Sequence, residues 1–69
     1  MEELHLREEY ITLGQLLKAA GIAGSGVEAK VMIQNGEAAV NGEVDLRRGR
    51  KLREGDVVRV GGTEIKVVR

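Results

Sequence analysis

Residues 25–44 read SGVEAKVMIQNGEAAVNGEV, and the spacing of apolar side chains changes halfway through them. In the first half Ala29, Met32 and Ile33 recur three and four apart, the repeat of a helix with one buried face. Ser25 and Glu28 form a capping box, in which each side chain satisfies the other's backbone N–H. Gly36 stands just past the end, where a left-handed residue closes many helices. Lys30 and Gln34, four apart, share a different, polar face. Beyond Gly36 the helical spacing stops. Asn41-Gly42 separates two short extended runs, and Asn-Gly is the strongest short-range hairpin signal, because a type I′ turn needs positive φ at both central residues.

The same grammar extends in both directions. Upstream, residues 12–21 read TLGQLLKAAG. Thr12 and Gln15 make another capping box, Leu13, Leu16, Leu17 and Ala20 fall on one face, and Gly21 can end the helix. Gly24 and Gly26 flank the Ser25 cap and let the chain turn sharply. An extended segment near EEYIT, residues 8–12, precedes the first helix. Downstream, DVVRVGGTEIKVV predicts a hairpin at Gly61-Gly62. Val58 then faces Ile65 toward the core, and Arg59 faces Glu64 in solvent. LREGD reads as the turn before it. Helices segregated from strands imply an α+β domain. The expected architecture is two short helices packed on a small, mostly antiparallel sheet of four to five strands, with residues 1–69 forming one domain.

The totals exclude more than they select. A 69-residue chain buries only about 60% of the surface its unfolded form exposes, so one small core is available. Cysteine is absent, which removes disulfides, thiolate nucleophiles and cysteine metal sites, and favours the cytoplasm over secretion. The start, MEELHLREEY, lacks the apolar stretch of a signal peptide, and no run approaches the roughly 20 apolar residues of a membrane span. The one histidine, His5, has no second ligand at metal spacing. The one serine, Ser25, is explained by capping. GIAGSGVEAK lacks the Gly-Lys-Ser/Thr ending of a phosphate loop. No catalytic constellation, metal site or cofactor motif is present, so the expected protein is not an enzyme.

The formal net charge is zero, yet the charge is segregated. Residues 1–42 sum to −3 and residues 43–69 to +3. The densest basic run is RRGRK, where Arg47, Arg48, Arg50 and Lys51 surround Gly49. Between strand-like segments this run forms a loop and not a floppy tail. Arginine's planar fork suits phosphate oxygens, and backbone amides near Gly49 add donors. The plain alternative is a solvated charged loop. With Arg47, Arg48, Arg50 and Lys51 as the main phosphate-binding surface, replacing all four by alanine is expected to weaken binding and change stability little. Tyr10 is the only aromatic residue, so a platform of several stacked bases is excluded as a binding mode.

Residues 12–60 resemble the S4 domain, an RNA-binding module. The resemblance lies in the leucine-rich helix Leu13–Ala20, Ser25 at a helix start, Ala29-Lys30, GEAAVNG and GDVVRV, in that order. It is closest to the small stand-alone bacterial S4-like proteins of the YaaA and YbcJ type, which share Ser25-Gly26, Ala29-Lys30 and the arginine-rich Arg47–Leu52. Many S4 domains carry arginine directly after the helix-start serine, where this chain has Gly26.

The resemblance implies an S4-like, alpha-L fold, with the start of the second helix and the basic loop on one side. It implies a non-enzymatic RNA-binding module for structured RNA, ribosomal RNA among the candidates. The expected contact residues are Ser25, Gly26, Lys30, Gln34, Arg47, Arg48, Arg50 and Lys51. The expected protein is a monomer without cofactor or metal. The competing function is an adaptor that docks an acidic protein on the same loop.

Overall fold

Both helices begin and end at the residues their caps dictate. In the computed structural model, which describes residues 1–69, α1 spans Leu13–Ala19 and α2 spans Gly26–Gln34. The Thr12 hydroxyl accepts from the Gln15 N–H at 3.3 Å, and the Gln15 side-chain oxygen accepts from the Thr12 N–H at 3.0 Å. At α2 only half of the expected box forms. The Ser25 hydroxyl accepts from the Glu28 N–H at 3.1 Å, but the Glu28 carboxylate lies against Gly24 and does not return the bond. It remains in the first turn, where a negative charge complements the positive helix end. Gly21 and Gly36 adopt φ of +75° and +79°. Each donates to the carbonyl three residues back, and the next residue closes the wider bond, Ile22 to Leu17 and Glu37 to Met32. Two Schellman ends result.

Seven strands surround the helices: β1 (Glu2–His5), β2 (Ile11–Thr12), β3 (Ala38–Val40), β4 (Glu43–Val44), β5 (Lys51–Leu52), β6 (Val57–Val60) and β7 (Thr63–Val68). Five form a sheet in the order β1-β7-β6-β3-β4, and β2 pairs separately with β5. The two predicted hairpins are β3–β4 and β6–β7, with Val58 opposite Ile65 and Arg59 opposite Glu64. Arg59 and Glu64 approach to 3.3 Å on the exposed face, where such a pair adds little stability.

One apolar cluster joins the layers. Leu13, Leu16 and Leu17 of α1 and Ala29 and Ile33 of α2 meet Val40, Val58, Ile65 and Val67 of the sheet. Strand alternation sends these sheet residues to one face and leaves Arg59, Glu64 and Lys66 on the other. The architecture is α+β, two helices on a mostly antiparallel sheet.

The N-terminal expectation needs correction. The segment near EEYIT supplies only the two-residue β2, and the longer strand is β1, which pairs with β7 in parallel. β1 carries one half-buried side chain, Leu4, among exposed ones. Its alternation is too short to stand out in the sequence, and the β7 partner is nearly a full chain length away.

Asn41 ties the hairpins together. It takes φ of +51° in the turn. Its amide donates to Asp56 at 3.0 Å, and its side-chain oxygen accepts from the Val57 N–H at 2.9 Å. Asp56 in turn accepts from the Arg53 N–H at 2.8 Å, closing the LREGD turn. Asn41→Ala removes two hydrogen bonds and forces alanine into the left-handed region. The expected loss is about 2–3 kcal/mol, read as a lower urea midpoint with an unchanged m-value. A loss below about 0.5 kcal/mol would show that the bridge contributes nothing.

Candidate nucleic-acid interface

The loop between β4 and β5, residues 45–50, is built around a buried carboxylate. Asp45 is only 8% exposed. One of its oxygens accepts from the Arg47 backbone N–H at 2.9 Å and from Arg47 Nε at 3.0 Å. The other accepts from Arg47 Nη2 at 2.9 Å and from Arg50 Nη1 at 2.8 Å. Arg47 thus grips the carboxylate with both prongs of its fork, and Arg50 closes the far side. The Arg47 side chain holds the Asp45 carboxyl well below the usual carboxylate range; burial opposes this, and the Arg47 N–H and Arg50 reinforce it. Asp45 in turn raises the Arg47 pKa.

The loop's backbone is spent on α1. Leu13 N–H donates to the Arg50 carbonyl at 2.9 Å, and Gly14 N–H donates to the Arg48 carbonyl at 3.0 Å. With the two capping-box bonds, these satisfy all four orphan donors of the first helical turn. Gly14 is buried beneath the Arg48 side chain. A Cβ there would stand 2.7 Å from Arg48 Cγ, so only glycine lets the arginine stem cross the helix.

Beside this crossing lies an open groove of about 360 Å³. Gln15 and Lys18 of α1, Gly26 and Ala29 of α2, and Arg48 and Gly49 of the loop line it. The backbone N–H groups of Gly26 and Val27 have no partner within the protein. The start of α2 therefore presents free donors and the positive end of its dipole at the groove. Lys18 and Arg48, both exposed, line the same groove.

The expected contact residues divide accordingly. Gly26 and Arg48 both line the groove, and Ser25 caps the helix beside Gly26. Lys30 and Gln34 are exposed one and two turns farther along α2, outside the lining. Arg47 and Arg50 are not free cations, because both are engaged by Asp45. Lys51 points to Tyr10, with Nζ 5.0 Å from the ring centroid. Sequence reasoning missed Lys18, Gln15 and Gly14. Gln15 and Lys18, three apart on the polar side of α1, carried a usable signal. Asp45 carried none, since a lone aspartate beside arginines reads as an ordinary surface charge.

The view that the four basic side chains can be removed with little effect on stability is corrected here. Truncating Arg47 and Arg50 strips both cations from a buried carboxylate, and uncompensated buried charge is among the costly defects.

The S4 domain family matches residues 4–68. The chain belongs to the S4-domain family. A Bacillus subtilis protein named "Probable ribosome maturation protein RlbA" is 54% identical over 54 residues, covering 78% of this chain and 76% of that protein. YbcJ of Escherichia coli is 34% identical over 62 residues, covering 90% and 89%. The solution structure of E. coli YbcJ, described as revealing an alfaL motif involved in RNA-binding, superposes with a TM-score of 0.76 at 33% identity. That superposition covers 100% of this chain and 89% of YbcJ. The S4-like fold expected from the sequence is therefore the fold observed.

Asp45 and Asp56 both have folded pKa values below their ordinary ones. For Asp56 burial works the other way, and the Arg53 N–H and Asn41 amide prevail. Their stabilisation is complete above the unfolded value near about 3.9 and is lost as pH falls below it, because the unfolded chain binds protons first. Asp45→Asn should lower stability at neutral pH by about 1–3 kcal/mol and flatten the acid limb of a stability-against-pH curve. An unchanged acid limb would refute the clasp of Asp45 by Arg47 and Arg50. Gly14→Ala, normally a gain of about 0.5–1 kcal/mol inside a helix, should instead lower the melting temperature, because the added methyl displaces Arg48.

Proposed function

We propose that this S4-domain protein is a non-enzymatic module that binds structured RNA, ribosomal RNA in particular, through its phosphates. The observation that carries the reading is the groove in which the open N-terminus of α2 faces Lys18 and Arg48. Free amides at a positive dipole end, flanked by two cations, suit a phosphate group. Lys30 and Gln34 extend this polar surface along α2, and the outer edge of Arg47, whose side chain is 69% exposed, extends it along the loop. Arg50 acts chiefly through Asp45, holding the loop in shape.

The ligand class draws support from two relatives, the YbcJ structure with its RNA-binding motif and RlbA with its ribosome-maturation name. Folded RNA is favoured over flexible strands because A-form helices are recognised through shape, phosphates and 2′-hydroxyls, whereas general single-strand binding uses several stacked aromatics. The S4-domain family and the RNA-binding motif described for the YbcJ structure support a binding role.

The test is a salt series with an RNA hairpin and a poly-pyrimidine strand. With about four phosphates neutralised, log K should fall against log salt with a slope of roughly −3 to −4. The hairpin should bind more tightly than the strand. The Lys18→Ala/Arg48→Ala double variant should reduce the slope by about 1.5–2 and weaken all hairpins alike. It should stay folded, because α1 bonds to the Arg48 carbonyl and not to its side chain. A folded double variant with wild-type slope and affinity would refute the phosphate site. Recovery of an acidic protein and no RNA after crosslinking in cells would return the loop to a docking role.

A further inference from the structure

We infer that Tyr10 is the stacking site for a single unpaired nucleobase in the bound RNA. The inference rests on the RNA-binding reading and adds to it a contact that phosphates cannot supply. Tyr10 is the only aromatic residue in the chain, and it is 40% exposed where a core position would have hidden it. It immediately precedes the β2–β5 ladder, in which Ile11 pairs with Leu52 and Thr12 with Lys51. Leu52 is fully buried and Ile11 packs on the core, so the backbone that carries the ring is anchored on both strands.

Two cations accompany the ring. Lys51 Nζ lies 5.0 Å and Arg53 Cζ 5.7 Å from its centroid. Both distances are within cation–π range, so the ring and the charges form one preassembled group. An exposed aromatic held beside lysine and arginine matches a nucleotide in both its parts, a flat base and an adjoining phosphate.

The ring also borders an open groove of about 450 Å³, lined by Leu4, Leu6, Arg7 and Glu8 of the N-terminal segment and by Gln15 and Ala19 of α1. Its size lies within the range of about 300–1,000 Å³ common for small-ligand sites. Lys51 and Arg53 do not line it, which leaves the groove side of Tyr10 clear of its cations. Apolar walls with a few polar groups, Arg7 and Gln15 among them, suit a base whose faces stack and whose edge bonds. Gln15 lines this groove and the phosphate groove alike. A backbone held at Lys18 and Arg48 therefore passes directly beside the Tyr10 groove. One ring takes one base, so the fitting feature is a bulged or flipped nucleotide next to a helix, and not a single-stranded tract.

The experiment uses the full chain and two synthetic RNA hairpins that differ only by a one-nucleotide bulge carrying 2-aminopurine. The wild type should bind the bulged hairpin at least about fivefold more tightly, the lower end of what one stacked base contributes. Tyr10 is the only fluorophore of its kind in the protein, so its emission should be quenched by the bulged hairpin and little changed by the paired one. Tyr10→Leu should abolish the preference while leaving the affinity and salt slope for the paired hairpin unchanged. Tyr10→Phe, which keeps the ring, should retain the preference. Thermal melts of both variants establish that they are folded. Equal wild-type binding to the two hairpins overturns the stacking site alone, as does a preference that survives in Tyr10→Leu. Failure of the wild type to bind either hairpin overturns both the stacking site and the RNA reading beneath it.

Discussion

The first turn of α1 takes two of its hydrogen-bond acceptors from the basic loop, and the rest of the molecule is arranged around that debt. Leu13 and Gly14 have no partner within their own helix, and an unmet buried donor costs about 1–3 kcal/mol. The carbonyls of Arg50 and Arg48 meet them at 2.9 and 3.0 Å. The loop must therefore hold one shape, and Asp45 fixes that shape through Arg47 and Arg50. Gly14 must remain a glycine because Arg48 passes over it. The groove between the helices inherits its walls from the same contact. At Arg48, support of the fold and display of charge are thus assigned to different atoms, the carbonyl in the first case and the side chain in the second.

That division changes how the basic run is to be counted. Four cations in five residues suggest a surface saturated with positive charge. The buried Asp45 neutralises much of Arg47 and Arg50, and Tyr10 orients Lys51. The charge that faces the groove comes from Arg48, from Lys18 on another element, and from the uncapped amides of α2. A chain of zero net charge can present a local positive site in this way, because placement and not total sets the field at a groove. The Gly26 that stands where many S4 domains have arginine fits the same pattern: it leaves the helix start bare, and the cations approach from α1 and the loop.

Much of this was legible in the sequence wherever the rule involved is local. Capping boxes span four residues, Schellman glycines close the turn just before them, and Asn41-Gly42 sets its own hairpin. These signals placed both helices and both hairpins, including the Val58–Ile65 register. The S4-like fold and the groove shared by Gly26 and Arg48 were legible only through resemblance, since they depend on how distant elements dock. Three features escaped. The β1–β7 pairing joins opposite ends of the chain. The Glu28 half of the second capping box was lost to a carboxylate that turns toward Gly24. Asp45 looks like any other aspartate until packing covers it. In each case the deciding contact depends on tertiary placement, of a distant strand or of a single side chain, that no periodicity encodes.

The parallel pairing of β1 with β7 has a consequence for the order in which the molecule assembles. Both helical caps and both hairpins close short loops, whereas β1 must find a strand almost a full chain length away. The entropy of closing a loop grows with its length, and contacts at long sequence separation slow folding. β1 is also an edge strand with only Leu4 packed against the core. Chain entropy thus favours a late place for β1 in assembly, after the hairpins that close short loops. Leu4 lines the Tyr10 groove, so the wall of that groove is finished only when the two ends of the chain have met. The two grooves flanking Gln15 consequently differ in kind: the one lined by Arg48 and Lys18 is built from the middle of the chain, and the one beside Tyr10 depends on its two ends.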